Sequence, residues 1–209
     1  AVSSGSTGEP TWFPRTRDHE AAAAWRFEQV FADMFDARGR RTLAVIAFPL
    51  GTWVGGIYTL SCCRHLAAKG YPILSVPAGN QPPDILRAVR DLGPDCERIV
   101  LLGYPPFLKD VVDGAELNWS VHDVRLALAG EVVTESWRTL LHRRLGSRCD
   151  IRRLAASLYG TADAGVIGNE TPLSVAIRRA AADDPALAEA LFGERRLPTL
   201  VQYDPRDRW

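Results

Sequence analysis

Several protein classes are excluded by what the chain has little of. It carries no excess charge of one sign: 25 Lys+Arg face 25 Asp+Glu in 209 residues, for a formal net charge of zero. A dedicated nucleic-acid binder shows a basic face, so nucleic acid is not an expected partner. Long apolar runs are missing as well. No stretch approaches the ~20 residues that span a bilayer as a helix, so no membrane association is expected. The opening residues, Ala1 to Gly8, are small and polar and do not read as a secretory leader. Cysteine is scarce. Cys62, Cys63, Cys96 and Cys149 are too few for a disulfide scaffold of this length, and they lack the paired C-x2-C spacing of a zinc site. Reduced structural thiols in a cytoplasmic protein are the expectation. His19, His65, His122 and His142 are scattered and share no metal-ligand spacing. Ser61 lacks the G-x-S-x-G surroundings of a hydrolase nucleophile, and no G-x-G-x-x-G follows a strand pattern.

What is there suits a globular domain. Hydrophobic residues make up 46% and charged residues 24%, enough to build a core and too apolar for intrinsic disorder. Strand and helix patterns alternate. Helices are expected at 18–38, 55–69, 83–92, 106–112 and 134–145, with Gly39, Gly70, Gly93 and Gly146 just past four of their ends. Apolar runs at 42–48, 71–76, 98–102, 124–129 and 151–158 read as buried strands. The tail changes character, with two short helices at 172–182 and 185–192 and a strand at 199–203. The alternation predicts an α/β fold, a mainly parallel sheet flanked by helices, in one domain. The short basic pairs Arg143-Arg144, Arg152-Arg153 and Arg178-Arg179 read as solvated element ends.

Ser3-Ser4-Gly5-Ser6-Thr7-Gly8 puts four hydroxyls and two glycines in six residues. Glycine lets backbone N–H groups converge on an anion and the hydroxyls add donors, so polyphosphate is the natural guest. A flexible terminal stretch is the alternative. The nucleotide loop G-x-x-x-x-G-K-[ST] is not present, because no Gly-Lys-Ser/Thr follows. Downstream, Leu128-Ala129-Gly130-Glu131 and Ser157-Leu158-Tyr159-Gly160-Thr161-Ala162-Asp163 each lie at the end of an expected strand, and Phe48-Pro49-Leu50-Gly51-Thr52-Trp53-Val54-Gly55-Gly56 follows the first one.

Taken in order and spacing, these segments resemble the adenylate-forming superfamily of acyl-CoA ligases, luciferases and peptide-synthetase adenylation domains. The first resembles its phosphate loop, with Glu9-Pro10 following and Thr11 at a place where the phenylacetate–CoA ligase branch is similar. The resemblance implies that Ser3, Ser4, Gly5, Ser6, Thr7 and Gly8 cradle the phosphates of ATP. It implies that Ala129, Gly130 and Glu131 line the adenine, with Glu131 at the start of the next helix as the plain alternative. It further implies that Tyr159 and Gly160 meet the adenine and that Thr161 and Asp163 serve phosphate and Mg2+. Here the sequence departs from the family pattern: Ala162 stands in place of a hydroxyl and Asp163 in place of Glu, one methylene shorter. Trp53 is the acyl-pocket candidate, with a buried core position as its alternative. Gly103-Tyr104-Pro105-Pro106-Phe107-Leu108 resembles a turn that shapes the pocket wall and receives no chemistry.

The resemblance therefore implies ATP-dependent activation of a carboxylic acid, an aryl acid such as phenylacetate in the suggested branch, to an acyl-adenylate and transfer to CoA. Gly165-Val166-Ile167-Gly168-Asn169-Glu170-Thr171-Pro172 departs from the common form of that branch. The ribose-binding Asp and catalytic Lys expected of the family fall beyond Trp209. The expectation is a central part of the large N-terminal AMP-binding domain, inactive by itself. A catalytically degenerate nucleotide-binding module is the alternative. No oligomeric state is implied.

Overall fold

The computed structural model describes Glu9, residues 11–194 and residues 197–203. The loop Ser3–Gly8 lies outside the described residues.

Helix α1 (Arg17–Gln29) is started by Thr16, whose hydroxyl accepts from the His19 N–H while the His19 ring accepts from the Thr16 N–H. This reciprocal pair satisfies two donors that a helix start leaves open. The sequence predicted one helix through 38. Instead α1 passes at Val30 into a π-helical turn, Val30–Met34, and Asp36 then takes a positive φ of 50°. The wider turn points Val30, Phe31 and Met34 into the core.

Strands β1 (Thr42–Ile46), β2 (Ile73–Val76), β3 (Arg98–Gly103), β4 (Val124–Ala129), β5 (Ala155–Thr161) and β6 (Gly165–Asn169) form one sheet, in the order β2-β1-β3-β4-β5-β6. The first five run parallel and β6 is antiparallel to β5. Every residue of β1 and β3 is buried, as a sheet covered on both faces requires. Helices α2 (Val54–Ala68), α3 (Pro82–Leu92), α4 (Pro105–Gly114) and α5 (Glu135–Arg144) connect successive strands, and α6 (Pro172–Asp183) and α7 (Pro185–Phe192) follow β6. Side chains alternate across each strand. Ala44, Ile46, Val100, Leu102 and Ala127 face one core with α1 and α2. Leu43, Val45, Leu101, Leu126 and Leu128 face the other, with Ile85 and Val89 of α3 and Leu108 of α4.

Other expectations need correction too. Residues 151–153 form a 3-10 turn rather than the start of a strand. The Asp150 carboxylate caps the Arg152 N–H at 2.9 Å, and β5 begins at Ala155. Strand β6 had no counterpart among the sequence expectations. The segment read as a strand at 199–203 contributes one antiparallel bridge, Gln202 to Asn169. Arg178 is not solvated but 1% exposed, with its charge satisfied inside the protein. The Cys62 and Cys63 thiols are buried on α2, and burial pushes the Cys63 thiol up to about 12, which makes it inert as a nucleophile. Among the described residues, no helix is long and apolar enough to cross a membrane.

Candidate functional site

Parallel strands deliver the loops that follow them to one edge of the sheet. Here β2 and β3 lie on opposite sides of β1, so the chain reverses its lateral direction beside β1, the kind of switch point at whose strand ends open α/β sheets commonly bind ligands. Register fixes which residues reach it. Ile46 pairs with Leu102, Gly103 with Leu128, and Ala129 with Leu158. The residues after these pairs are Tyr104, Gly130 and Tyr159. Four of the segments singled out in the sequence are thus brought to one edge by strand alignment.

Trp53 lies in the loop after β1, at the N-cap of α2. It is 46% exposed, so it is not a buried core residue. Tyr104 ends the turn after β3 and caps α4. Its phenol donates to the Glu131 carboxylate at 3.0 Å, across the ends of β3 and β4. That hydrogen bond raises the Tyr104 pKa above its ordinary value, with burial and the Glu131 charge adding to it. Gly130 has φ 98°, and a Cβ there would stand 3.1 Å from Cδ2 of the Tyr104 ring. Glycine therefore serves both the turn and the close approach of the ring. Glu131 precedes α5, which starts at Glu135, so it belongs to the loop and not to that helix's first turn.

Tyr159 leaves the buried part of β5 and is 55% exposed. The β5–β6 register shifts between Tyr159 and Gly160. In the turn beyond, the Thr161 hydroxyl donates to the Asp163 carboxylate and accepts from the Ala164 N–H at 3.2 Å. The Thr161 hydroxyl holds the Asp163 pKa below the ordinary carboxylate value, helped by backbone N–H groups and, more weakly, by the Arg15 charge. Asp163 is thus an anion at neutral pH, and it is exposed. The Thr161 hydroxyl is directed into its own turn.

A metal held by protein alone does not fit this site. Among the described residues no group of three His, Cys, Asp or Glu is placed to hold one. A single exposed carboxylate does fit a divalent cation that keeps its waters and is carried by substrate phosphates, as Mg2+ commonly is.

Two features carry no signal in the sequence. Tyr104 reads as part of a pocket wall, and nothing in its turn signals the partner Glu131. Arg15 was not singled out, yet its Nη1 donates to the Asp163 carbonyl at 2.6 Å and its Nη2 to the Ala162 carbonyl. At the opposite edge of the sheet, Arg98, Arg125 and Arg153 line a cleft of about 490 Å³. Arg98 and Arg125 both bond Asp123, and the main-chain carbonyls of Asp33 and Asp36 receive Arg153 and Arg98. Although burial opposes it, these two guanidiniums hold the Asp123 carboxyl below its ordinary pKa. This edge ties the π-helical turn to the strands.

No protein-family model matches the chain, and no curated protein matches it by sequence. Solved structures do. An open conformation of 2-hydroxyisobutyryl-CoA ligase, in complex with 2-HIB-AMP and CoA, aligns with TM-score 0.61 and 18% identity over 82% of this chain. The chain shares its fold with part of that ligase. The same ligase in its postadenylation state, in complex with R3-HIB-AMP, aligns with TM-score 0.59 and 19% identity over 83% of this chain. The alignments cover 39% and 35% of those two chains, so this chain spans less than half of either.

Proposed function

We propose that this chain is the central part of an AMP-binding domain whose parent enzyme activates a carboxylic acid with ATP. A carboxylate oxygen of the acid attacks the α-phosphorus and displaces pyrophosphate, giving the acyl-adenylate. A thiol, CoA in this reading, then attacks the acyl carbon and releases AMP, leaving a thioester. The observation that carries the proposal is the placement of the Ala129–Glu131 loop and the Tyr159–Asp163 turn. They stand side by side at the strand ends of a fold shared with a ligase solved with an acyl-adenylate and CoA.

In this reading Tyr159 offers its exposed ring to adenine, and Ala129, Gly130 and Gly160 give the close backbone approach a flat base needs. The hydroxyls and backbone N–H groups of Ser3–Gly8 take the phosphates. Asp163 is the carboxylate for phosphate-borne Mg2+, which supplies neutralisation of phosphate charge. Trp53 borders the acyl pocket, and the finer assignment is an aryl acid such as phenylacetate. The protein's work is positioning and charge compensation rather than covalent chemistry. The ribose-binding Asp and catalytic Lys are assigned to the parent enzyme outside these 209 residues.

The test is acid-dependent ATP–pyrophosphate exchange by the complete gene product across a panel of aryl, aliphatic and hydroxy acids. Exchange with at least one acid is expected, and D163A should lower it by about a hundredfold or more. Full exchange by D163A would remove Asp163 from the mechanism. A second reading is a degenerate nucleotide-binding module, favoured by Ala162, which has no hydroxyl, and by the engagement of the Thr161 hydroxyl with Asp163. ATP binding without exchange for any acid would select it.

A further inference from the structure

We propose that Arg15 is a positioning residue. It clamps the main chain of the Thr161–Asp163 turn and thereby sets where the Asp163 carboxylate meets metal-bound nucleotide. The inference rests on the function proposed above.

Arg15 stands just before α1, in the segment that follows Ser3–Gly8 in sequence. Its two terminal nitrogens reach two successive carbonyls, those of Ala162 and Asp163. A planar guanidinium can make this two-pronged contact and a lysine ammonium cannot reproduce it. The prongs meet carbonyls, so the carboxylate of Asp163 stays available to a ligand. The guanidinium also lies over the Tyr58 ring, 5.7 Å from its centroid. Tyr58 is itself anchored, its hydroxyl donating to the His19 carbonyl of α1 at 2.9 Å. Gly165 closes the junction. It has φ 76°, and a Cβ there would stand 3.1 Å from the Tyr58 hydroxyl and 3.9 Å from Arg15 Nη1. The start of α1, the ring on α2 and the β5–β6 turn are thus locked together through one side chain.

A staple that merely holds the fold would affect all ligands alike. A positioning residue for Asp163 acts only where Asp163 acts. The experiment measures equilibrium binding of a fluorescent ATP analogue to the complete gene product, with Mg2+ and with EDTA, for wild type, R15A, R15K, D163A and the R15A/D163A double variant. Thermal unfolding is followed in parallel. R15A and R15K should each weaken Mg2+-dependent binding by about tenfold or more, the usual size for a residue that orients a metal-binding group. Binding in EDTA should change far less, and R15A should add nothing in the D163A background. Equal weakening with and without Mg2+, or a full R15A effect on top of D163A, would overturn the positioning role. R15K tests the clamp should R15A fail to fold. Mg2+-dependent binding that D163A leaves intact would overturn this proposal alone. A wild-type protein that binds no nucleotide would overturn the proposed function, and this inference with it.

Discussion

Glu170 and Arg138 meet at 2.9 Å with both side chains fully buried. The other Glu170 oxygen accepts from Arg178 at 2.7 Å, and the oxygen facing Arg138 also accepts the Ser157 N–H at 2.8 Å. Glu135 joins the cluster, 3.1 Å from Arg138 and 3.2 Å from Arg178. Two buried cations therefore face two anions contributed by α5 and by the residue after β6. Arg178 also donates to the Val133 carbonyl at 2.7 Å, which ties α6 to the loop before α5. The cluster pins the β5–β6 hairpin, and so the candidate turn at its tip, to the helices beneath.

Removing one member of such a cluster leaves its buried charges unbalanced. E170A should lose about 3–5 kcal/mol of folding stability, because Glu135 alone would then face both Arg138 and Arg178 in the buried interior. Urea unfolding of wild type and variant measures this from the shift in midpoint. A loss below about 1 kcal/mol would mean that solvent reaches the arginines in the folded state.

Gly160 faces a main-chain oxygen. A Cβ there would lie 2.0 Å from the Gly165 carbonyl, where no flexible side chain can move aside. G160A should cost about 1–3 kcal/mol and open the β5–β6 hairpin locally. Hydrogen exchange should show faster amides in both strands, with β1 and β3 unchanged. Unchanged exchange in β5 and β6 would mean that the hairpin absorbs the methyl by a backbone shift.

Burial raises the Tyr58 pKa from 10.0 to about 12, the Cys62 and Glu20 charges adding to it and Arg15 opposing it. A phenol raised in the folded state holds its proton where the unfolded chain has already lost it. Between pH 10 and about 12 the unfolded state binds fewer protons, so stability falls as pH rises through that window. Y58F removes the titrating group and should show a shallower alkaline decline than wild type. Denaturant midpoints measured through that range test this, and parallel curves for the two proteins would contradict it.

The strands that build the site were legible because they are buried on both faces. A run such as Thr42–Ile46 needs no knowledge of its neighbours to read as a strand, and it is buried along its whole length. The turns were legible where glycine is demanded locally, as at Gly130, whose φ is 98°. Strand β6 was not legible. Gly165–Asn169 is short, carries two glycines, and becomes a strand only by pairing back on β5. Residues 151–153 misled for the opposite reason. Their apolar start resembles a strand, but the Asp150 cap and the Arg153 bond to the Asp33 carbonyl hold a turn.

By itself the sequence determined the α/β alternation, the parallel strands and the order of the segments that end at one edge. Those depend on local periodicity and on the geometry of short connections, which neighbouring residues carry among themselves. Only the tertiary structure decided the partners of charge. Arg178 reads as a solvated helix residue until Glu170, Glu135 and the Val133 carbonyl are brought around it. Arg15 reads as nothing until the carbonyls of Ala162 and Asp163, far along the chain, arrive at its guanidinium. Whether a charge is buried, and what it bonds, depends on groups from several elements meeting at one point, and no local pattern in the chain encodes that meeting.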